Sequence, residues 1–426
     1  MGAAGDAFVS LPPMHRGNRA RIGLWVALGA AGCPSDVGTA ADGTDGASST
    51  GDVADATGGG PGGPSGPGST SQASADGSTG ATTDLPEPDT GTTATTGEDG
   101  STGDETGGPA PGTVARCFAD AFVGGPLEFG PDYDQFGVTV GSHCYGTNHQ
   151  DIQGIERVVF LGDSVTVGTP PALPDAYYRS VLADALASQF GLQYGIGLEG
   201  ELAWKAPNPF TGQAAVLRSG DFAACAEWGG RNDDLLQGGM QIAQCFDAAE
   251  FDARTLVVFT SGGNDINAIT QDAIDGVPNA ELMLMAEDAS LYLREAIDWL
   301  QEPGRFPNGV FVVFANPYEF TDGTGEVQSC DVSGLAGFDQ PVPAPDRLAS
   351  LVVWLEEEYG RIAAETGTDM IFLLEEFCGH GFNADDPTAP CYRGPGTEVW
   401  FDLTCIHPNP TGHQHIADMF MAVVNE

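Results

Sequence analysis

Basic residues are scarce: 15 Lys and Arg stand against 60 Asp and Glu, and the formal net charge is −45. A surface of that sign repels phosphate backbones and anionic membranes, which argues against a nucleic-acid partner. The chain also lacks a Gly-x-Gly-x-x-Gly turn opening a helix after the first strand, and it has no phosphate loop with Gly-Lys-Ser. Nucleotide binding is therefore disfavoured. No cysteine pair has the close C-x-x-C spacing of a zinc knuckle or redox site, so no metal and no cofactor is implied. From Pro34 to Val114 there is no aromatic residue, no Lys and no Arg. That stretch is Gly, Ser, Thr, Ala, Asp and Pro with 13 acidic side chains, and it cannot bury enough apolar surface to offset its ordering entropy. Residues 34–114 are expected to form a disordered tether, leaving 115–426 as one folded domain with 46 acidic and 12 basic residues.

What is present before the tether reads as an export signal. His15-Arg16-Gly17-Asn18-Arg19-Ala20-Arg21 is basic, and Ile22 to Gly32 is an apolar run too short to span a bilayer. Residues before Met14 fit no signal grammar, which makes Met14 a candidate start. Leu28-Gly29-Ala30-Ala31-Gly32-Cys33 resembles a bacterial lipobox, with Ala30 where Leu is usual. The resemblance implies a signal over 1–33, lipid on Cys33 and a membrane contact made only through that anchor. The chain is then a surface or periplasmic lipoprotein, or a secreted protein if cleavage falls nearby. Eight further cysteines remain, an even number that suggests four disulfides in an exported chain. Nearest-neighbour pairing would join Cys117 to Cys144, Cys225 to Cys245, Cys330 to Cys378 and Cys391 to Cys405.

Apolar periodicity sets the element order. Strands are expected at Arg157–Leu161, Leu192–Ile196, Thr255–Thr260, Val310–Ala315 and Met370–Leu374. Helices are expected at Asp175–Phe190, Asp233–Phe246, Ala280–Gln301, Asp346–Thr366 and Pro410–Val424. Continuous apolar strands alternating with helices mean a mostly parallel sheet covered on both faces, an α/β three-layer sandwich.

Three short blocks carry the chemistry. Gly162-Asp163-Ser164 follows the first strand, Gly262-Gly263-Asn264-Asp265 follows a later one, and His407-Pro408-Asn409 precedes the last helix. In order and context, over roughly residues 155 to 424, they resemble the SGNH (GDSL) serine hydrolases. The resemblance implies a flavodoxin-like fold, a nucleophile at Ser164 and a proton-accepting base at His407. It implies oxyanion donors at the Ser164 N–H, the Asn264 side chain and a glycine. Trp228-Gly229-Gly230-Arg231-Asn232-Asp233-Asp234-Leu235 resembles the glycine block, with Gly230 the better match and Gly229 the fallback. The family places an Asp three residues before the base, where this chain has Thr404. Asp402 could reach the imidazole if the segment after it bulges; Glu398 lies further back, and a Ser–His dyad is the remaining alternative. Asp163 and Asp265 are read as loop braces.

The implied reaction is cleavage of an ester, lipid or acylated carbohydrate, through an acyl-enzyme, in a protein expected to be monomeric. Tyr177, Tyr178, Trp204, Trp228 and Trp400 are candidates to line the acyl or sugar site, and Ala203–Phe210 is a candidate lid. The absent Asp keeps a second class open, a non-catalytic surface module that binds a glycan or a protein.

Overall fold

The computed structural model describes residues 112–127 and 130–426. The expected signal, Cys33 and nearly all of the expected tether lie outside the described residues. The tether's last residue belongs to the fold: Val114 is buried and begins the helix Val114–Cys117, capped by the Thr113 side chain.

Six strands form the main sheet. In chain order they are β1 (Arg157–Gly162), β2 (Arg218–Ser219), β3 (Phe222–Ala224), β4 (Thr255–Thr260), β5 (Val310–Ala315) and β6 (Asp369–Ile371). Their spatial order is β2-β3-β1-β4-β5-β6, and only the short β2–β3 pairing is antiparallel. Every residue of β1 and β4 is buried, as a strand covered on both faces requires. Side chains alternate between the faces. Val158 and Phe160 pack with Tyr178, Leu182, Ile416 and Phe420 from the helices Tyr178–Phe190 and Pro410–Val424. Val159 and Leu161 pack with Leu293, Ile297, Leu355 and Tyr359 from the helices Asn279–Leu300 and Pro345–Thr366. The result is the expected three-layer α/β/α sandwich with a largely parallel central sheet. Each buried Leu, Ile, Val or Phe in it contributes roughly 1.5–3 kcal/mol over exposure.

Several expected elements come out differently. Leu192–Ile196 is no strand; it carries one isolated bridge, Gly195 to Gly200, among glycines, and the place beside β1 goes to β3. The expected helix over 233–246 is two short ones, Asn232–Leu236 and Gln241–Cys245, broken at Gly238-Gly239-Met240, where Met240 is left-handed. The strand expected over 370–374 stops at Ile371, and Leu373–Phe377 is helical. A helix not foreseen, Gly263–Ile274, follows β4.

Two disulfides match nearest-neighbour pairing, Cys117–Cys144 and Cys225–Cys245. The other two do not: Cys330 joins Cys405, and Cys378 joins Cys391. The chain after Cys378 folds back on itself, because the Asp322 carboxylate accepts the N–H groups of Gly379, Gly381 and Asn383. The Asp322 carbonyl also accepts the Cys391 N–H, which returns Cys391 to Cys378.

Burial has placed carboxyl groups inside this acidic domain. It pushes Asp163 and Asp322 up to about 6, Asp265 and Glu375 up to about 7, and Glu356 well above its usual range. A carboxyl whose folded pKa is raised costs stability above that pKa, and the cost fades as pH falls through it. Burial holds His380 and His407 down at about 4 and His413 at about 3, so these oppose folding increasingly below the ordinary histidine range. The carboxyls outnumber the histidines and begin to act at higher pH, and protonation also relieves the net charge. The urea midpoint of the oxidised domain is therefore expected to rise from pH 7.5 to 5.5. A midpoint that falls over that interval would contradict this account of the buried acids.

Candidate active site

The site forms where the sheet order reverses, between β1 and β4, at the carboxyl ends of the strands. β1 ends at Gly162, whose φ of +111° favours glycine and where a Cβ would lie 1.9 Å from the Thr260 carbonyl oxygen. Gln241 fixes that strand end like a partner strand. Its Oε1 accepts the Gly162 N–H at 2.7 Å and its Nε2 donates to the Gly162 carbonyl at 2.8 Å. Asp163 then turns the chain: its Oδ1 accepts the Val165 N–H at 3.0 Å and the Thr260 hydroxyl at 2.8 Å. Asp163 is thus the brace expected of it. Ser164 opens the short helix Ser164–Val167.

His407 arrives from the loop before the last helix. That loop is held at both ends of the ring's peptide: the His407 carbonyl accepts the Asp402 N–H at 2.9 Å, and the Ile406 carbonyl accepts the Tyr318 hydroxyl at 2.7 Å. Asn409 caps the helix through the Gly412 N–H and donates its amide to the Val399 carbonyl. The outcome is a 2.8 Å contact between His407 Nε2 and Ser164 Oγ, groups 243 residues apart in sequence. Burial lowers the His407 pKa to about 4, so the ring is neutral at neutral pH.

The other ring nitrogen meets a hydroxyl, not a carboxylate. His407 Nδ1 lies 2.7 Å from Thr404 Oγ1. Thr404 Oγ1 donates to Asp402 Oδ1 at 2.6 Å, and the Thr404 N–H donates to the same oxygen at 2.7 Å. The expected direct reach of Asp402 to the imidazole is not found; Thr404 stands between them because Asp402 folds back onto its own loop. Glu398 is elsewhere, accepting from the Thr411 hydroxyl.

Asn264 sits in the first turn of the helix Gly263–Ile274, after Gly262, whose φ is +101°. Its Nδ2 donates to the Gly230 carbonyl at 2.9 Å. Gly230 was expected to offer its N–H, yet that N–H is donated to the Glu227 carbonyl at 3.0 Å within a tight turn. The structure thus makes Gly230 a holder of Asn264 through its carbonyl. Beneath it, Asp265 braces the Asn232 N–H at 3.1 Å, as a loop acid should.

A cavity of about 600 Å³ opens at Ser164, Asn264 and His407, and its wall is largely apolar, with Ile266, Phe320, Val327, Phe338, Val342 and Leu348. None of the five aromatic candidates lines it. Tyr177, Tyr178 and Trp204 are buried in the core, Trp228 donates to the Gly168 carbonyl, and Trp400 is sandwiched between His380 and His415. The candidate lid splits likewise: Trp204 is core, and Phe210 stands exposed at a hairpin tip. Among the described residues, the one trio with metal-ligand spacing is Glu319, Cys378 and Cys391, and its two cysteines are bonded to each other.

No protein-family model matches the chain, and no curated protein matches it. Among solved structures, the extracellular lipase of Streptomyces rimosus is similar at 16% identity with a TM-score of 0.36, over 63% of this chain and 99% of that one. A gut microbial diltiazem-metabolizing enzyme is similar at 15% identity with a TM-score of 0.39, over 65% of this chain and 49% of that one. The chain thus spans about half the length of the second structure.

Sequence reading missed Gln241 altogether, since a lone glutamine on a short helix carries no signal of its target. Gln241→Leu leaves the buried Gly162 N–H without an acceptor, a loss of about 1–3 kcal/mol. Urea unfolding of the purified variant measures it; a change under about 0.5 kcal/mol, the range of surface substitutions, would show the clamp to be dispensable.

Proposed function

We propose that this chain is an SGNH-type serine ester hydrolase with a flavodoxin-like sheet, exported and anchored through Cys33. The observation that carries the reading is the 2.8 Å contact of Ser164 Oγ with His407 Nε2 at the mouth of an apolar cavity. A serine hydroxyl attacks an acyl carbon only when a base removes its proton as the bond forms. His407 is neutral, so Nε2 can take that proton while Oγ bonds the carbonyl carbon. The negative oxygen that develops needs donors already aimed at it. The Ser164 N–H and the second amide hydrogen of Asn264 are the donors this reading assigns, with Gly230 fixing the Asn264 side chain. The imidazolium then protonates the leaving alcohol as the ester C–O bond breaks. Water, deprotonated by the same ring, attacks the acyl-serine and releases the acid and Ser164.

The cavity wall favours an apolar acyl group, which a lipid ester supplies; an acylated carbohydrate would place its sugar toward solvent. No step in this sequence calls on a metal or cofactor. A monomer suffices, because every assigned group comes from one chain. The alternative, a surface module that binds without reacting, predicts an inert Ser164.

A fluorophosphonate probe separates the two. The folded wild-type domain is expected to acquire one adduct, mapped to Ser164 by mass spectrometry, and Ser164→Ala none. A folded domain that stays unlabelled would sink the hydrolase reading. The labelling rate also reports the base. With His407 at about 4, the rate should hold steady from pH 8 to 5 and fall as the ring protonates near 4. An acid limb near 6.5, the ordinary histidine value, would show the ring to be solvated in the working enzyme.

A further inference from the structure

We propose that Thr404 and Asp402 together orient His407, the hydroxyl passing the carboxylate's directing effect to the ring; this rests on the hydrolase reading for its kinetic consequence. The geometry is a series of three short contacts. Ser164 Oγ to His407 Nε2 is 2.8 Å, His407 Nδ1 to Thr404 Oγ1 is 2.7 Å, and Thr404 Oγ1 to Asp402 Oδ1 is 2.6 Å.

Counting protons fixes the direction of each bond. A threonine hydroxyl has one proton and an ionised carboxylate has none to give. With Asp402 ionised, the 2.6 Å between its Oδ1 and Thr404 Oγ1 requires a proton between them, and only the Thr404 hydroxyl can supply it; the same oxygen also accepts the Thr404 N–H at 2.7 Å. Thr404 Oγ1 can then only accept from the ring, which places the histidine proton on Nδ1. Nε2 is left with its lone pair facing Ser164, the tautomer that a base for that hydroxyl needs. In the opposite tautomer, Thr404 would have to donate to Nδ1, and its oxygen would face the carboxylate lone pairs at 2.6 Å with no proton between them.

The fold supplies the support for this set. Asp402, Thr404 and His407 lie within one six-residue loop closed by the Asp402 N–H to His407 carbonyl bond and the Cys405 N–H to Asp402 carbonyl bond. The Cys330–Cys405 disulfide ties the middle of that loop to a distant segment. Asp402 is buried, and its Oδ2 has no hydrogen-bond partner among the described residues, so its interaction is directed through Oδ1. Neither residue touches the reacting atoms; both are positioning residues.

Two measurements on the folded domain test this. In ¹⁵N-histidine NMR at pH 7, wild-type His407 is expected as the Nδ1–H tautomer with a slowly exchanging proton. Thr404→Val and Asp402→Asn should each lose that protected proton, and Thr404→Ser should keep it. An Nε2–H tautomer in the wild type, or a protected Nδ1–H that survives Thr404→Val, overturns the proposal whether or not the protein is catalytic. The second measurement is turnover of a p-nitrophenyl ester of a medium-length acid. Thr404→Val should lower kcat about 10²-fold with KM little changed, at the low end of what general acid–base catalysis supplies. Thr404→Ser should restore it, and Thr404→Val combined with Asp402→Asn should cost no more than the worse single variant, since the two act as a unit. Losses that multiply would show the residues acting separately and overturn the proposal. A wild type that shows the Nδ1–H proton but no labelling of Ser164 would instead remove the hydrolase reading and leave the relay in place.

Discussion

The site depends on where β1 stops. Gly162 is held from one side by the parallel ladder to Thr260 and from the other by the two hydrogen bonds of Gln241. A strand end is otherwise a poor anchor, because its last peptide has lost one neighbour and is free to swing. Here both backbone polar groups of Gly162 are satisfied in the interior, and the residue's own positive φ turns the next two residues out of the sheet. Asp163 converts that turn into a helix start, and Ser164 inherits its position from these constraints. The same logic places Asn264, since Gly262 performs the reversal after β4 that Gly162 performs after β1. The two reversals lie side by side because β1 and β4 are neighbours.

The second constraint is electrostatic. Burial keeps His407 neutral by disfavouring its charged form, so the ring is poorly suited to hold a proton. In the domain's sequence the opposing influence is abundant, with 46 acidic residues, but most are on the solvent side, where water and salt screen them. Asp402 is the buried carboxylate that the loop before the final helix brings near, and it meets the ring through the Thr404 hydroxyl.

Much of this was legible in the chain. β1, β4 and β5 are continuous apolar runs, wholly buried in β1 and β4 and buried from Val312 onward in β5, and nothing in their composition competes with that reading. The last helix was legible to the residue because Asn409 and Pro410 mark its start. β3 was not, being three residues long and inside a glycine-rich excursion; its strand character comes from pairing with β1. The helix Gly263–Ile274 was hidden because it opens with Gly, Asn and Asp, residues that read as a turn until tertiary packing decides. The disulfides beyond Cys245 were mispaired for a related reason: proximity in sequence does not reveal that Asp322 gathers the backbone after Cys378.

The meeting of Ser164 with His407, and the placing of Asn264 at the same cavity, were legible for the opposite reason, since each residue stands in a short block at the end of an element. The group that meets the second ring nitrogen was not, because a template of residue types asks for a carboxylate at one position and has no place for a hydroxyl bonded to one. Thr404 occupies the position where the acid was sought, and Asp402, two residues earlier, completes the contact that Thr404 begins. On the proposed relay, a carboxylate one hydroxyl away from the ring would still set the tautomer, because each proton in the chain fixes the direction of the next bond. Its Coulombic pull on the ring, by contrast, weakens with distance. On that relay, Thr404 therefore separates two effects that a carboxylate in direct contact would combine: it would keep the tautomer while adding little support for a protonated ring, in keeping with burial as the cause of the low His407 pKa.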